Sequence, residues 1–274
     1  MIELLAGVFG LLIGSFLNVC IHRWPRDLSV VRPRSACPAC NAQIFWYDNV
    51  PVLSFFLLRA RCRNCGAPIH WRYPVVEILT ALAFAFFIQS YGPDLAGAKY
   101  CVFAAILTGL AFSDLETRIL PDELTAGGTF IGLAFALFVP VPDSTFHIFA
   151  SLAGFRPGAR LASLGESALG AFVCSGLLWL VGWLFEKLRH KEGLGFGDVK
   201  MLAAVGAFLG LQGAILTIVI GSMLGAVSGL LYIRVTSRDA ASYQLPFGTF
   251  LAAAALIVAA EGPRLLNWYD QLLR

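Results

Sequence analysis

The feature that most narrows this chain is a series of apolar blocks set close together, at residues 2–21, 74–91, 98–113, 123–140, 167–185, 200–212, 214–233 and 246–260. A helix needs roughly 20 apolar residues to cross the hydrocarbon core of a bilayer, and most of the blocks approach that length. With 58% of residues hydrophobic and only 14% charged, the chain lacks the polar surface to hide these blocks in a soluble fold. It reads as an integral membrane protein. The blocks show no dyad alternation of the kind a β-barrel requires, which leaves an all-α polytopic architecture with about eight transmembrane helices. The sixth block is short and the eighth is rich in alanine, from Ala252 to Ala255, so tilt or shielding by neighbours is expected at both. The first block has no basic residues before it and arginines after it, the pattern of a retained helix rather than a cleaved signal.

Charge asymmetry sets the expected orientation. Eight arginines (23, 26, 32, 34, 59, 61, 63, 72) and two aspartates lie between His22 and Tyr73, which marks this loop as cytoplasmic by the positive-inside rule. Alternating crossings then put the joints 113–122, 186–200 and 234–245 inside and the stretch 141–166 outside. Lys187, Arg189, Lys191, Lys200, Arg234 and Arg238 agree with that assignment. An arginine-rich loop beside a membrane holds topology and anionic lipid, and no nucleic-acid partner is expected from it. The outer stretch, with FHIFASLAGF inside it, is read as an amphipathic helix on the membrane surface.

The basic loop also carries CPAC at 37–40 and CRNC at 62–65. Two such pairs, Cys37 with Cys40 and Cys62 with Cys65, can set four thiolates tetrahedrally around one zinc ion, with Pro38 and Gly66 suited to the tight turns of such a site. A reducing cytoplasm argues against two disulfides. A loop this short builds little apolar core, so Zn2+ is expected to be structural and to supply folding energy. The chain therefore divides into a first transmembrane helix (1–21), a small zinc-binding cytoplasmic domain between helices 1 and 2 (22–73) and a polytopic membrane domain (74–274). Cys20, Cys101 and Cys174 fall in apolar blocks and read as small buried residues.

Carboxylates near the bilayer are costly to desolvate, and each is a functional candidate by default. Two places stand out on the expected cytoplasmic side: FSDLETRILPDELT at 112–125 and GLGFGDVK at 193–200. Asp122 follows Pro121 and reads as a helix-start residue. Asp198 fits either a helix-start carboxylate or a catalytic one, with Gly195 and Gly197 allowing close approach of another chain. Asp114 has no capping role to explain it. Two aspartates brought together can share a proton, one acting as base on a water and the other as acid toward a carbonyl oxygen. Serine or cysteine catalysis has less support, because there is no GxSxG and the four histidines lack an evident nucleophile partner. A proton- or cation-coupled transporter is the rival from another class, since intramembrane aspartates also build ion pathways. It predicts related repeats in the two halves, which are not visible, and gives no reason for the four cysteines.

Five stretches, taken in order, resemble the type IV prepilin leader peptidases, the bifunctional peptidase and N-methyltransferase family. They are GSFLNVCIHRWP (14–25), CPAC with WYDNVPVLS (46–54), CRNC with WRYPVVE (71–77), DLETRILPDELT (114–125) and GLGFGDVKML (193–202). The resemblance implies that Asp114 and Asp198 are the catalytic aspartates. It also implies that Cys37, Cys40, Cys62 and Cys65 hold zinc that takes no part in hydrolysis, and that the protein sits in the bacterial cytoplasmic (inner) membrane with its active site facing the cytoplasm. The implied substrates are type IV prepilins and pseudopilins of type II secretion, cut after a glycine at the end of a short basic leader. S-adenosyl-L-methionine would then methylate the new N-terminus. One departure is visible: the family often has glycine two residues before the third cysteine, where this chain has Ala60. If that glycine serves close approach of the cofactor, Ala60 would weaken methyl transfer and spare proteolysis. Arg72 and Glu77 are candidates for the methyl-donor site, with a topology anchor and an interfacial charge as their plainer readings.

Overall fold

The computed structural model of the chain describes residues 1–141, 145–190, 195–236 and 245–272, without the side chains of 236, 263 and 265–272. Lys191, Gly193, Leu194 and Arg238, which figure in the motifs and the charge pattern, lie outside the described residues. Nine α-helices are described: α1 (Ile2–Arg23), α2 (Leu53–Leu57), α3 (Arg72–Tyr91), α4 (Leu95–Thr117), α5 (Asp122–Ala136), α6 (Thr145–Leu152), α7 (Ala159–Arg189), α8 (Phe196–Thr236) and α9 (Phe247–Leu272). No strand occurs among the described residues; two isolated bridges, Ala36 with Gln43 and Arg61 with Pro68, both fall in the cysteine loop.

All eight apolar blocks are helical, but the count of eight separate long spans is not met. Among the described residues five helices are long and apolar enough to cross a membrane: α1 with its following turn, α3, α4, α7 and α8. Block 123–140 yields the 15-residue α5. Block 246–260 yields only a shorter apolar stretch, Phe247–Gly262, at the start of α9. Blocks 200–212 and 214–233 run together into the 41-residue α8, broken at Gly210 with φ 76° and ψ −174°, a conformation natural only to glycine.

That break reverses the chain. A Cβ on Gly248 would stand 3.1 Å from Asp198 in the first part of α8, and one on Gly225 in the second part would stand 3.9 Å from the Phe247 ring. In an unbroken helix residues 198 and 225 would be about 40 Å apart. The two parts of α8 therefore fold back on each other, and the second part runs beside α9.

The chain forms two compact units, Met1–Ser113 and Asp114–Arg274. In the first, α1 and α3 cross at Gly10 and Gly14, where a Cβ would come within 2.7 Å of the Ala81 Cα and 2.6 Å of the Glu77 Cα. Small residues one turn apart let two membrane helices touch backbone to backbone, where lipid provides no hydrophobic drive for association. Leu17, Ile21 and Val76 form the buried cluster beside this crossing, and Ile13, Ala105 and Phe112 pack on it. Buried Asn18 donates to the Tyr73 carbonyl at 3.0 Å, fixing the start of α3 against α1.

In the second unit α5, α7, α8 and α9 pack around a core that includes Met201, Leu202, Val205, Phe208 and Leu251. The Ser167 hydroxyl donates to the Ala207 carbonyl, tying α7 to α8. The stretch 141–166 contains a short helix, α6, with Ile148, Phe149 and Leu152 exposed. Buried Glu166 accepts the Phe146 and His147 backbone N–H groups at 2.8 and 3.0 Å, which satisfies free donors at the start of α6 and pins it to α7.

Candidate functional site

The two aspartates singled out in the sequence meet in the second unit. Asp114 stands in the last turn of α4, which ends at Thr117 and is followed by Arg118 in the left-handed region (φ 58°). That turn leads the chain through Leu120 and Pro121 into α5. Asp198 is the third residue of α8, not its cap: the helix begins at Phe196, and the Asp198 backbone N–H donates to the Gly195 carbonyl at 3.1 Å. Both aspartates are buried, with 5% and 8% of their surface exposed. Both face Gly248, where an added Cβ would lie 3.1 Å from Asp198 Oδ1 and 3.2 Å from Asp114 Oδ2. Two oxygens that close to a single point are at most a little over 6 Å apart, by the sum of those two distances.

The start of α9 supplies the third side of the site. Thr249 donates its backbone N–H to Asp114 Oδ2 at 2.8 Å and its hydroxyl to the same oxygen at 3.0 Å. Leu120 forms an apolar wall, within 3.1 Å of the Cβ positions of both Gly197 and Gly248. Gly197 thus admits the chain's own Leu120. Beside the site, Lys200 pairs with both oxygens of Asp122 at 2.7 and 2.9 Å, joining the second turn of α8 to the first of α5. Asp122 is the first residue of α5, with Pro121 before it as the cap and no side-chain capping hydrogen bond.

Gly248 and Thr249 were not legible as site residues. In the sequence they follow Pro246 at the head of the last apolar block, where a threonine reads as part of an ordinary helix start. Only the fold brings them to Asp114, 135 residues away in the chain.

In the first unit the four cysteines converge, with all four sulfurs within 4.8 Å of one another and Cys37 Sγ 3.9 Å from Cys65 Sγ. A tetrahedral zinc site with Zn–S bonds of about 2.3 Å requires sulfurs about 3.8 Å apart, so the group fits a metal ion. Its two halves repeat one backbone pattern. Cys37 N–H donates to the Ala42 carbonyl (2.9 Å) as Cys62 N–H does to that of Ala67 (2.8 Å); Asn41 and Gly66 then donate back to the Cys37 and Cys62 carbonyls at 2.8 and 2.9 Å. Asn41 and Gly66 both take the left-handed conformation, φ 56° and 72°, that closes each turn. Gly66 was expected in this role; Asn41, its counterpart, was not. The Ala42 N–H, followed by the Asn64 amide, lowers the Cys40 thiol pKa, and the Cys65 and Asn64 N–H groups lower that of Cys62. These two thiols are favoured as thiolates, whereas at Cys65, against the lowering effect of the Ala67 N–H, shared hydrogen bonds within the cluster, that with Cys40 foremost, push the thiol up to about 11.

The departure at Ala60 acquires a conformational reading. Ala60 has φ 55°, follows Arg59 at φ 52°, and its carbonyl accepts the Ile69 N–H at 2.7 Å. A glycine here would relieve the strain of a left-handed alanine. Glu77 also serves the architecture of the loop. It accepts the Val52 N–H at 2.7 Å, where Val52 has φ 60°, and so holds the aromatic loop before α2 to α3. Buried Arg72 stacks over the Tyr73 ring at 4.7 Å. A separate cleft of about 360 Å³, lined by Ser15, Phe16, Arg23, Arg34, Ser35 and Asn49 among others, opens beside the end of α1.

A multi-pass helical membrane unit with a buried pair of aspartates, preceded in the chain by a four-cysteine metal-type loop, defines a narrow class of membrane protein. Residues 8–91 match the Bacterial Peptidase A24 N-terminal domain and residues 101–230 match the Type IV leader peptidase family. The chain belongs to the type IV leader peptidase family. The first match contains all four clustered cysteines and the second contains both aspartates. Among similar proteins, the prepilin leader peptidase/N-methyltransferase of Aeromonas hydrophila is 36% identical over 96% of this chain and 91% of its own. That of Legionella pneumophila is 34% identical over 97% and 93%, and that of Myxococcus xanthus is 40% identical over 84% and 63%. No solved structure matches the chain. The transporter alternative draws no support from these relatives.

Proposed function

We infer that the chain is a prepilin leader peptidase of the bacterial inner membrane that also N-methylates its product. The observation that carries the reading is the convergence of buried Asp114 and Asp198 on Gly248, in a chain whose matched region is that of the leader peptidases. The substrates are type IV prepilins and pseudopilins of type II secretion, cut after a glycine. Alternating crossings and the arginine-rich loop support a catalytic pair at the cytoplasmic face, and the same loop meets anionic lipid.

Hydrolysis follows from the pair's ability to share one proton. The scissile carbonyl occupies the gap beside Gly248. A water oxygen bonds to the carbonyl carbon as the ionised aspartate takes one of its protons and the protonated aspartate gives its proton to the carbonyl oxygen. The resulting gem-diol collapses with cleavage of the C–N bond. The leaving nitrogen takes the proton held by the first aspartate, and a hydroxyl returns a proton to the second. One water is consumed and the pair is restored.

Cys37, Cys40, Cys62 and Cys65 are the ligands of a structural Zn2+, which when bound cross-links the two turns of the loop. S-adenosyl-L-methionine supplies the methyl group for the new N-terminal amine. The cleft beside α1 has the volume of a small-molecule site and carries Arg23 and Arg34 in its lining. Arg23 is partly committed there, donating to the Ser29 and Pro33 carbonyls, each at 2.8 Å.

The test is mass spectrometry of a prepilin incubated in liposomes with the purified protein, with and without S-adenosylmethionine. Leader loss with wild type, absent for Asp114→Asn and Asp198→Asn, is expected, together with a methyl mass increment when the donor is present. No cleavage across several prepilins would overturn the reading, and cleavage without the increment would reduce it to a peptidase.

A further inference from the structure

The environments of the two aspartates differ. Asp114 Oδ2 receives both the backbone N–H and the hydroxyl of Thr249, at 2.8 and 3.0 Å, whereas among the described residues no donor reaches the Asp198 carboxyl. A backbone N–H can only donate, so Oδ2 is held as an acceptor, and two donors on one oxygen fix the rotation of the carboxylate. The same oxygen faces the gap at Gly248, where Asp198 Oδ1 also lies.

We propose that Thr249 is the positioning residue of the pair: it orients Asp114 toward Asp198 and the scissile carbonyl, while Gly248 keeps the space between the two carboxylates open. The assignment rests on the peptidase reading above. Neither residue falls within the stretch 101–230 matched to the leader peptidase family. Thr249 touches no reacting atom in this scheme. Its hydroxyl acts through Asp114, by holding the geometry that the proton transfers need before substrate arrives. Gly248 contributes an absence, since a methyl group at that point would stand 3.1–3.2 Å from both carboxylates and from Leu120 Cδ1. These contacts are tighter than ordinary van der Waals packing and occupy the place of the substrate.

The experiment measures kcat and KM for prepilin cleavage by the full chain in liposomes, for wild type, Thr249→Val, Thr249→Ser, Gly248→Ala and both aspartate variants, with thermal unfolding of each. Thr249→Val keeps shape and backbone N–H but loses the hydroxyl; kcat is expected to fall about tenfold, the scale of one hydrogen bond to a charged group, with KM within about twofold. Thr249→Ser is expected to restore kcat to within about threefold of wild type, because it keeps the donor. Gly248→Ala is expected to lower kcat by about tenfold or more while its unfolding midpoint stays within a few degrees of wild type. Wild-type kcat in Thr249→Val, or a loss that Ser fails to rescue, would overturn the role of Thr249 provided the aspartate variants are inactive. Full activity in Gly248→Ala would overturn the role of Gly248. Active aspartate variants would instead refute the peptidase mechanism itself.

Discussion

Asp114 and Asp198 stand 84 residues apart in sequence, yet each places a carboxylate oxygen within 3.2 Å of the point where a Cβ would sit on Gly248. No local motif builds this juxtaposition. It depends on the end of α4, the first turn of α8 and the first turn of α9 arriving together.

Replacing either carboxylate by its amide removes the exchangeable proton site without changing shape. Asp114→Asn and Asp198→Asn are each expected to lower cleavage by about a thousandfold or more, with the unfolding midpoint within a few degrees of wild type. A gel-shift or mass assay of leader removal decides it. Because the two groups act as one unit, the double variant should be no worse than either single one.

The cysteine loop should carry one metal per chain. Elemental analysis of purified protein is expected to give one zinc, and Cys37→Ser to lose it, with faster proteolysis confined to residues 22–73. Peptidase activity should suffer less than methyl transfer. Equal loss of both in a metal-free but still folded protein would contradict a purely structural ion.

Ala60 offers a test that separates backbone strain from cofactor contact. Since the residue sits at φ 55°, Ala60→Gly is expected to stabilise the loop by about 1 kcal/mol and to tighten metal retention against a chelator. Methyl transfer should stay within about twofold of wild type. A large gain in methylation with no change in metal retention would return the position to the cofactor.

Acid should loosen the same loop through Asp48. Arg63 donates to Asp48 at 2.6–3.1 Å, and these hydrogen bonds hold the Asp48 carboxyl below its usual pKa. A lowered folded-state value means the pair's contribution is present above the unfolded pKa of about 3.9 and disappears as pH falls through the lower, folded value. The stability difference between wild type and Asp48→Asn is therefore expected to be constant above about pH 5 and to shrink below about pH 4. Exposed Arg63 makes the difference small and salt-sensitive.

Much of this was legible in the residues themselves. The apolar blocks gave every long helix, because a bilayer demands length and apolarity that no soluble helix mimics. Cysteine spacing gave the metal-type cluster; the cost of burying carboxylates pointed to the stretches 112–125 and 193–200, and the family resemblance narrowed them to Asp114 and Asp198. The number of long spans was less legible. Gly210 sits inside a continuous apolar run, and whether a glycine is tolerated within a helix or turns the chain back depends on what packs beside it. Thr249 was invisible for another reason: a helix-start threonine is ordinary, and its partner is named only by tertiary structure. Asn41 likewise took the turn-closing conformation that its counterpart Gly66 advertised openly.

The reversal at Gly210 also bears on how the protein is made. Residues 196–236 emerge from the ribosome as one apolar stretch of 41 residues, about twice what a bilayer accommodates. A straight helix of that length would leave its two ends on opposite sides of the membrane. Bent at Gly210, the stretch inserts as a helical hairpin, and its second end returns to the side from which it started. Asp198 and the start of α9, with Gly248 and Thr249, thus come together at one end of the hairpin, and the glycine hinge is what lets the two parts of this stretch serve one site.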